Sequence, residues 1–347
     1  MMASTDDLYM RRALELARLG NGYTSPNPMV GCVVVHKGQI IGEGWHRQYG
    51  GPHAEVNAIA SVEDKSLLPK SRVYVTLEPC SHYGKTPPCA DLLINSGVRD
   101  VVICNTDPNP LVAGRGIKKL FDAGAQVKVG VLEQEGFEVN KRFFTFHSEK
   151  RPYIFLKWAE TADGFIAGVN YKQEQISGAP AKRLAHKWRT EEQAIMVGSR
   201  TALYDNPQLS TRFWSGKNPL RIVIDKQLLL PAHLYLFDRK QPTVVYNSQK
   251  QEEAHANLHY VQLSEQEPFL PQIMQDLHKR NILSVMVEGG TFLLESMLQA
   301  NLWDEAHVFK NTSKALSTGI KAPAMVYGQL QNVQNLGSDL LFHYLSC

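Results

Sequence analysis

The chain has 347 residues, 43 % of them hydrophobic and 20 % charged, with a formal net charge of +3. This is the balance of a globular enzyme long enough for two domains with cores of their own. The charge is too small to argue for a nucleic-acid partner, but it is compatible with a small phosphorylated substrate met by a local basic cluster.

Residues 1–7 are polar and acidic rather than a signal peptide. No apolar run reaches the ~20 residues needed to span a bilayer, so a cytoplasmic, non-membrane chain is expected. Five cysteines do not make a disulfide framework. Cys32 and Cys104 lie in apolar runs and read as core, whereas Cys80 and Cys89 lie in a Pro- and His-rich stretch.

The first predicted element is a helix capped by Thr5, with Asp6 and Asp7 in its first turn, Tyr9, Ala13, Leu16 and Ala17 at helical spacing, and Gly20 as its stop. Residues 30–35 and 39–44 read as a hairpin around Lys37-Gly38. A helix starts at Glu55, and residues 72–77 form a strand. Pro87 and Pro88 open a helix that runs to Asn95 and ends at Gly97. Residues 98–104 form a strand, 116–123 a helix and 126–131 a strand. Residues 140–150 read as a polar, basic segment around Phe143, Phe144 and Phe146, and the domain boundary is placed near 150. Beyond it, residues 153–158, 194–198, 220–225, 243–246 and 284–287 read as buried strands, and 184–189 and 292–299 as helices. This alternation predicts two layered α/β domains, 1–150 and 151–347.

The chemistry is densest at Pro52-His53-Ala54-Glu55 and Glu78-Pro79-Cys80-Ser81-His82-Tyr83-Gly84-Lys85-Thr86-Pro87-Pro88-Cys89. One histidine and two cysteines make a three-ligand set for one Zn2+. A tetrahedral position stays open for water, as in catalytic rather than structural zinc sites, and the ion brings that water to ionise near neutrality. Glu55 is the candidate catalytic residue, a shuttle moving a proton from the water to a ring nitrogen and then to departing ammonia. The ordered His-x-Glu and Pro-Cys halves are the pattern of zinc deaminases. Residues two apart on an ideal helix point ~200° apart, so His53 is expected at the helix edge. A structural zinc knot, or a histidine and cysteines satisfied separately, is the non-catalytic alternative.

Eight residues separate the two cysteines, where the common nucleoside deaminases have two. This insert, together with Pro26-Asn27-Pro28-Met29-Val30-Gly31, Gly42-Glu43-Gly44-Trp45-His46 and Asp107-Pro108-Asn109-Pro110, closely resembles the RibD family of bifunctional riboflavin-biosynthesis enzymes. The resemblance covers the whole chain and is densest in the first 120 residues. It implies a cytidine-deaminase-like three-layer α/β/α domain followed by a dihydrofolate-reductase-like α/β domain. The implied substrate is a phosphoribosylaminopyrimidine, deaminated first and then reduced by NADPH from ribosyl to ribityl. It further implies that Asn27, His46, His82 and Lys85 bind the deaminase substrate, that Arg189, Leu209, Arg212 and Glu288 bind the reductase substrate, and that Thr201, Asp205, Gly289 and Gly290 contact the cofactor. A homodimer is expected from the resemblance alone. Asp107 reads as a turn former. Without the resemblance, Asn27 would be read as a turn residue, Lys85 as a solvated charge and Arg189 as one cation of a helix face.

No G-x-G-x-x-G occurs. Several positions depart from the family pattern, including a late strand that offers Phe309-Lys310-Asn311 where Ala-Pro-Lys is usual. Gln175 stands where an aromatic cofactor contact is usual, Gln173 where a serine is common, and Phe165 where a basic residue is common. The rival readings are a deaminase whose second domain is a silent binding or dimerisation module, a nucleic-acid base deaminase, and a non-enzymatic zinc module. The low charge and the long cysteine spacing argue against the second of these.

Overall fold

The computed structural model describes residues 4–83, 87–109 and 112–347. The chain divides into two compact units, 1–149 and 150–347. Unit 1 runs α1 (Thr5–Arg18), β1 (Gly31–His36), β2 (Gln39–Trp45), α2 (Ala54–Ser61), β3 (Arg72–Leu77), α3 (Cys89–Asn95), β4 (Asp100–Asn105), α4 (Arg115–Asp122), β5 (Gln126–Val129) and α5 (Glu133–Glu149). Its sheet has the order β2-β1-β3-β4-β5, with β1 antiparallel to both β2 and β3 and the remaining pairs parallel.

Strand alternation sorts side chains to the two faces. Cys32, Val34, Val73 and Val75 pack with Ala54, Ala58, Ala90, Leu93 and Leu120 from α2, α3 and α4. Val33, Val35, Tyr74 and Val102 pack with Met10, Ala13, Leu14, Ala17 and Val139 from α1 and α5. The result is an α/β/α sandwich. The helix–sheet distance is short at Gly31, where an added Cβ would lie 1.9 Å from the Ala13 carbonyl oxygen of α1. Gly31→Ala is therefore expected to cost about 3 kcal/mol by overpacking. Thermal melting should show a loss of about 10 °C, and an unchanged melting temperature would refute the close approach.

Two local expectations are corrected. Ser4, not Thr5, caps α1: its hydroxyl accepts from the Asp7 N–H at 3.1 Å, and the Asp7 carboxylate accepts from the Ser4 N–H at 2.9 Å. Only from one residue earlier does Asp7 become the third helical position, where this reciprocal pair closes. Residues 140–149, read from the sequence only as a polar, basic segment, belong to helix α5. The helix is irregular at Asn140 (φ −114°, ψ 20°), whose amide bonds both the N–H and the C=O of Met29 at 2.8 Å. Phe143 and Phe146, three apart, bury on one face.

Unit 2 runs β6 (Tyr153–Glu160), β7 (Phe165–Ala167), α6 (Ala179–Glu191), β8 (Ala194–Gly198), α7 (Ser199–Asp205), β9 (Leu220–Ile224), β10 (Thr243–Asn247), β11 (Glu252–His255), β12 (Leu258–Gln262), α8 (Phe269–Lys279), β13 (Ser284–Val287), α9 (Thr291–Gln299), β14 (Glu305–Asn311), β15 (Ile320–Lys321), β16 (Gly328–Asn335) and β17 (Asp339–Ser346). The main sheet has the order β11-β12-β10-β9-β8-β13-β6-β14-β17-β16. Its interior, β12 through β14, is parallel, and antiparallel strands close both edges. One face packs on α8 and α9 through residues such as Ile273, Leu277 and Leu294. The other packs on α6 through Phe155, Ala185, Trp188 and Phe309, and on α7 through Val197, Ala202 and Val223. The sequence expectations stop before the C-terminal hairpin β16–β17. No described helix is long and apolar enough to cross a membrane.

Candidate active sites of the two units

In unit 1 the end of β3 and the start of two helices bring the candidate metal ligands together. His53 is the N-cap residue of α2, with extended backbone (φ −71°, ψ 166°). This is the edge position that the His-x-Glu spacing requires, because the cap residue is free of the helical 100° step. Cys80 follows β3, and Cys89 begins α3. His53 Nδ1 lies 3.6 Å from Cys80 Sγ and 3.3 Å from Cys89 Sγ, and the three donor atoms lie within 4.8 Å of one another. A tetrahedral ion with bonds of about 2.1 Å to nitrogen and about 2.3 Å to sulfur holds such atoms about 3.6 Å apart. The donor set and its spacing therefore fit zinc.

The Cys89 backbone N–H points at Cys80 Sγ at 3.3 Å. Shared hydrogen bonding with Cys89, with help from His53, holds the Cys80 thiol far down, at about 4, while the Cys89 thiol is pushed up by the same neighbour and by burial. Glu55, in the first turn of α2, is 3 % exposed. Burial, then the charge of Cys80, pushes its carboxyl up to about 6; a bound dication would act in the opposite sense.

His46 Nδ1 donates to the Pro52 carbonyl at 3.0 Å, which leaves Nε2 to accept from the Asn27 amide at 3.2 Å. Burial holds this imidazole neutral by lowering its pKa. The ring stands edge-on to His53, with centroids 5.5 Å apart, so two of the expected substrate contacts adjoin the metal ligands. His82 is exposed in the segment between the cysteines. Lys85 lies outside the described residues. Asp107 is a turn former, its carboxylate accepting from the Asn109 N–H at 2.8 Å.

Glu78 has a part that the sequence reading did not assign. Its carboxylate accepts from the N–H groups of Asp107, Gly114, Gly116 and Ile117 at 2.8–3.3 Å, tying the segment before Cys80 to the N-terminus of α4. The signal was available in a carboxylate two residues before a ligand and between apolar and proline neighbours. Glu78→Ala strips four amides of this acceptor and is expected to cost about 3 kcal/mol, read as a lower urea midpoint. No change in the midpoint would show that other groups satisfy those amides.

In unit 2 all eight residues expected to contact reductase substrate or cofactor line one cavity of about 1460 Å3. Leu209 does so with a left-handed backbone (φ 53°), a conformation that costs a branched side chain energy. Gly290 caps α9, and its N–H donates to Thr201 Oγ1 at 2.7 Å. A Cβ on Gly290 would press on that oxygen at 3.2 Å.

Arg189 and Glu288, expected as separate contacts, form a two-pronged ion pair at 2.7 and 2.8 Å, each side chain only 12 % exposed. A third Arg189 nitrogen donates to the Ser210 carbonyl at 2.9 Å. Lys157 stands 3.8 Å from Glu288. Burial opposes ionisation of Glu288, but the charges of Arg189 and Lys157 outweigh it and hold the carboxyl at about 2. Arg212 is exposed; it bonds Gln208 and Ser210 and lies over the Phe213 ring, 5.3 Å from its centroid. Gln173 and Gln175 line the cavity, and Phe165 is not among its lining residues. Tyr171 and Tyr204, stacked 4.6 Å apart at 13°, supply aromatic surface there.

An α/β/α unit with a Cys2His site beside a buried glutamate is the arrangement of a zinc-type deaminase, here followed by a mixed-sheet unit with a large cleft. Residues 3–105 match the model of the cytidine and deoxycytidylate deaminase zinc-binding region, and 152–312 match that of the RibD C-terminal domain. The chain is 39 % identical to the riboflavin biosynthesis protein RibD of Aquifex aeolicus over 99 % of both chains. It is 40 % identical to that of Bacillus amyloliquefaciens over 93 % of this chain and 88 % of the relative. Among solved structures, it is similar to a diaminohydroxyphosphoribosylaminopyrimidine deaminase/5-amino-6-(5-phosphoribosylamino)uracil reductase of Thermotoga maritima, with TM-score 0.89, 36 % identity and 99 % of both chains covered. Acinetobacter baumannii RibD also matches, with TM-score 0.89, 33 % identity and 98 % of both chains covered. The chain belongs to the RibD family of riboflavin-biosynthesis enzymes: it is bifunctional, with an N-terminal deaminase domain and a C-terminal reductase domain.

Proposed function

We propose that residues 1–150 hydrolytically deaminate 2,5-diamino-6-(5-phosphoribosylamino)pyrimidin-4(3H)-one, and that residues 151–347 then reduce the ribosyl group of the product to ribityl with NADPH. The observation that carries the first step is the convergence of His53, Cys80 and Cys89 beside buried Glu55. One zinc held by those three supplies a water that ionises near neutrality. Glu55 would take a proton from that water and give it to the ring nitrogen as the remaining hydroxide bonds to the amino-bearing carbon; it would then pass the hydroxyl proton to the amino group, whose C–N bond breaks to release ammonia. Its burial favours the carboxyl's taking up a proton, because desolvation disfavours the charged form. Asn27 and neutral His46 hold the pyrimidine edge, and His82 and Lys85 meet the ribose phosphate.

In the second step NADPH supplies the hydride. Thr201, Asp205, Gly289 and Gly290 hold the cofactor, Gly290 presenting backbone where a side chain would intrude. Arg189 is engaged with Glu288, so Arg212 is the principal cation for the substrate phosphate, and the Arg189–Glu288 pair with Leu209 orients the sugar. The low net charge supports a small-molecule substrate and no nucleic acid. Homodimerisation rests on family resemblance and is tested by sedimentation velocity; a cytoplasmic setting rests on the polar N-terminus and the lack of a membrane-length apolar run.

Cys80→Ser tests the division of labour. It should abolish ammonia release and the metal equivalent held by His53, Cys80 and Cys89, while NADPH oxidation with the deaminated pyrimidine persists. Ammonia release at the wild-type rate would overturn the metal assignment, and a chain that never oxidises NADPH would favour a silent second domain.

A further inference from the structure

A second group of metal-ligating side chains lies in unit 2, apart from the large cleft. Glu305 and His307 are two residues apart on β14 and so share a face of the sheet. His343 on β17 is the direct antiparallel partner of His307. The three donor atoms lie within 4.8 Å of one another. Nε2 of His307 and Nε2 of His343 each stand 2.9 Å from the same oxygen, Glu305 Oε1.

Hydrogen bonding alone does not explain the arrangement. At 2.9 Å the His343 contact is short enough for a hydrogen bond, yet that nitrogen is buried and, among the described residues, has no partner in hydrogen-bonding geometry. A nitrogen close to an oxygen but not aimed at it has its lone pair directed to a point beside the line between them. Two ligands of one ion stand in this relation. Bonds of about 2.1 Å meeting at about 90° leave donor atoms about 3 Å apart. The two nitrogen–oxygen spacings are therefore those of adjacent positions on an octahedron, tighter than the roughly 3.4 Å between nitrogen and oxygen ligands at tetrahedral angles.

The surroundings suit the role. The Tyr153 hydroxyl donates to the other carboxylate oxygen, Oε2, at 2.7 Å, fixing the carboxylate as an outer-shell partner does. Phe155 and Trp188 pack against the His307 ring with centroids 4.8 and 4.6 Å away, limiting its rotation. His343 is 29 % exposed, against 8 % for Glu305, which leaves a path for the ion and for water on its open positions.

We propose that Glu305, His307 and His343 form a second metal site, a two-histidine-one-carboxylate face that takes a first-row divalent transition ion in octahedral coordination. It clasps the C-terminal strand β17 to β14. Donor type separates it from the Cys2His set: nitrogen and oxygen with no thiolate favour an ion that keeps water ligands.

Cobalt(II) titrated into the metal-free full-length chain distinguishes the two sites. The expected result is two equivalents, one with the strong near-ultraviolet charge-transfer band of thiolate ligation and one with only the weak visible bands of an octahedral N/O site. His343→Ala should lose the weak-banded equivalent, keep the thiolate one, and lose the rise in melting temperature that cobalt gives the unit. Glu305→Gln, which preserves shape, should weaken the same equivalent at least tenfold, and it decides the matter if His343→Ala does not fold. A single thiolate-type equivalent in the wild type, or two undiminished equivalents in the folded variants, would overturn the proposal and leave a packed His–Glu–His cluster.

Discussion

Glu55→Gln is expected to lower deaminase turnover by about 10²–10⁴-fold while zinc content and fold are retained. Glutamine keeps the volume of a side chain that is 3 % exposed, so packing is little disturbed. It cannot accept and return a proton, and nothing else beside the metal ligands is placed to do so among the residues assigned here. Glu55 is not one of the three clustered donors, so the metal should stay. Ammonia release and metal analysis on the same preparation check both halves. Undiminished ammonia release would refute the shuttle, and loss of metal from a folded variant would make Glu55 a ligand.

The second large effect is expected at Glu288, whose replacement by glutamine leaves Arg189 and Lys157 side by side without their counter-charge. Removing one partner of a buried ion pair costs about 3–5 kcal/mol, so unit 2 should melt well below the wild type and NADPH oxidation should fall with it. The pH dependence has a definite sign. The folded pKa of Glu288, about 2, lies below its unfolded value, so its stabilisation is present above the unfolded carboxyl range near 4.3 and is lost as pH falls towards 2. Urea midpoints measured from pH 6 to pH 2.5 should therefore fall more steeply in the wild type than in Glu288→Gln. Parallel slopes would mean that the carboxylate is not held by those two cations.

The deaminase half was legible in the sequence because its chemistry sits in short contiguous stretches. His53 and Glu55 are two apart, and eight residues join Cys80 to Cys89. The edge position required of His53 is the N-cap it occupies. What stayed hidden depends on contacts across long stretches of chain. Glu78 finds its four amides 29 to 39 residues away, and Arg189 meets Glu288 across 99, so neither pairing has a local signature. The helix over 140–149 went unread because Asn140 interrupts the helical pattern while its amide serves Met29, 111 residues distant. The C-terminal hairpin escaped notice because β16 is a polar edge strand whose residues are almost all exposed, without the alternation that marks a half-buried strand.

Two reactions in one chain are tested most directly by giving the purified protein the starting diaminopyrimidine and NADPH, and following ammonia and NADPH in the same cuvette. The account predicts that ammonia appears first, that NADPH oxidation follows after a lag, and that one NADPH is consumed per ammonia released. Glu55→Gln should abolish both signals with the starting pyrimidine yet oxidise NADPH normally with the deaminated one. Ammonia release with no NADPH oxidation at any time would contradict it.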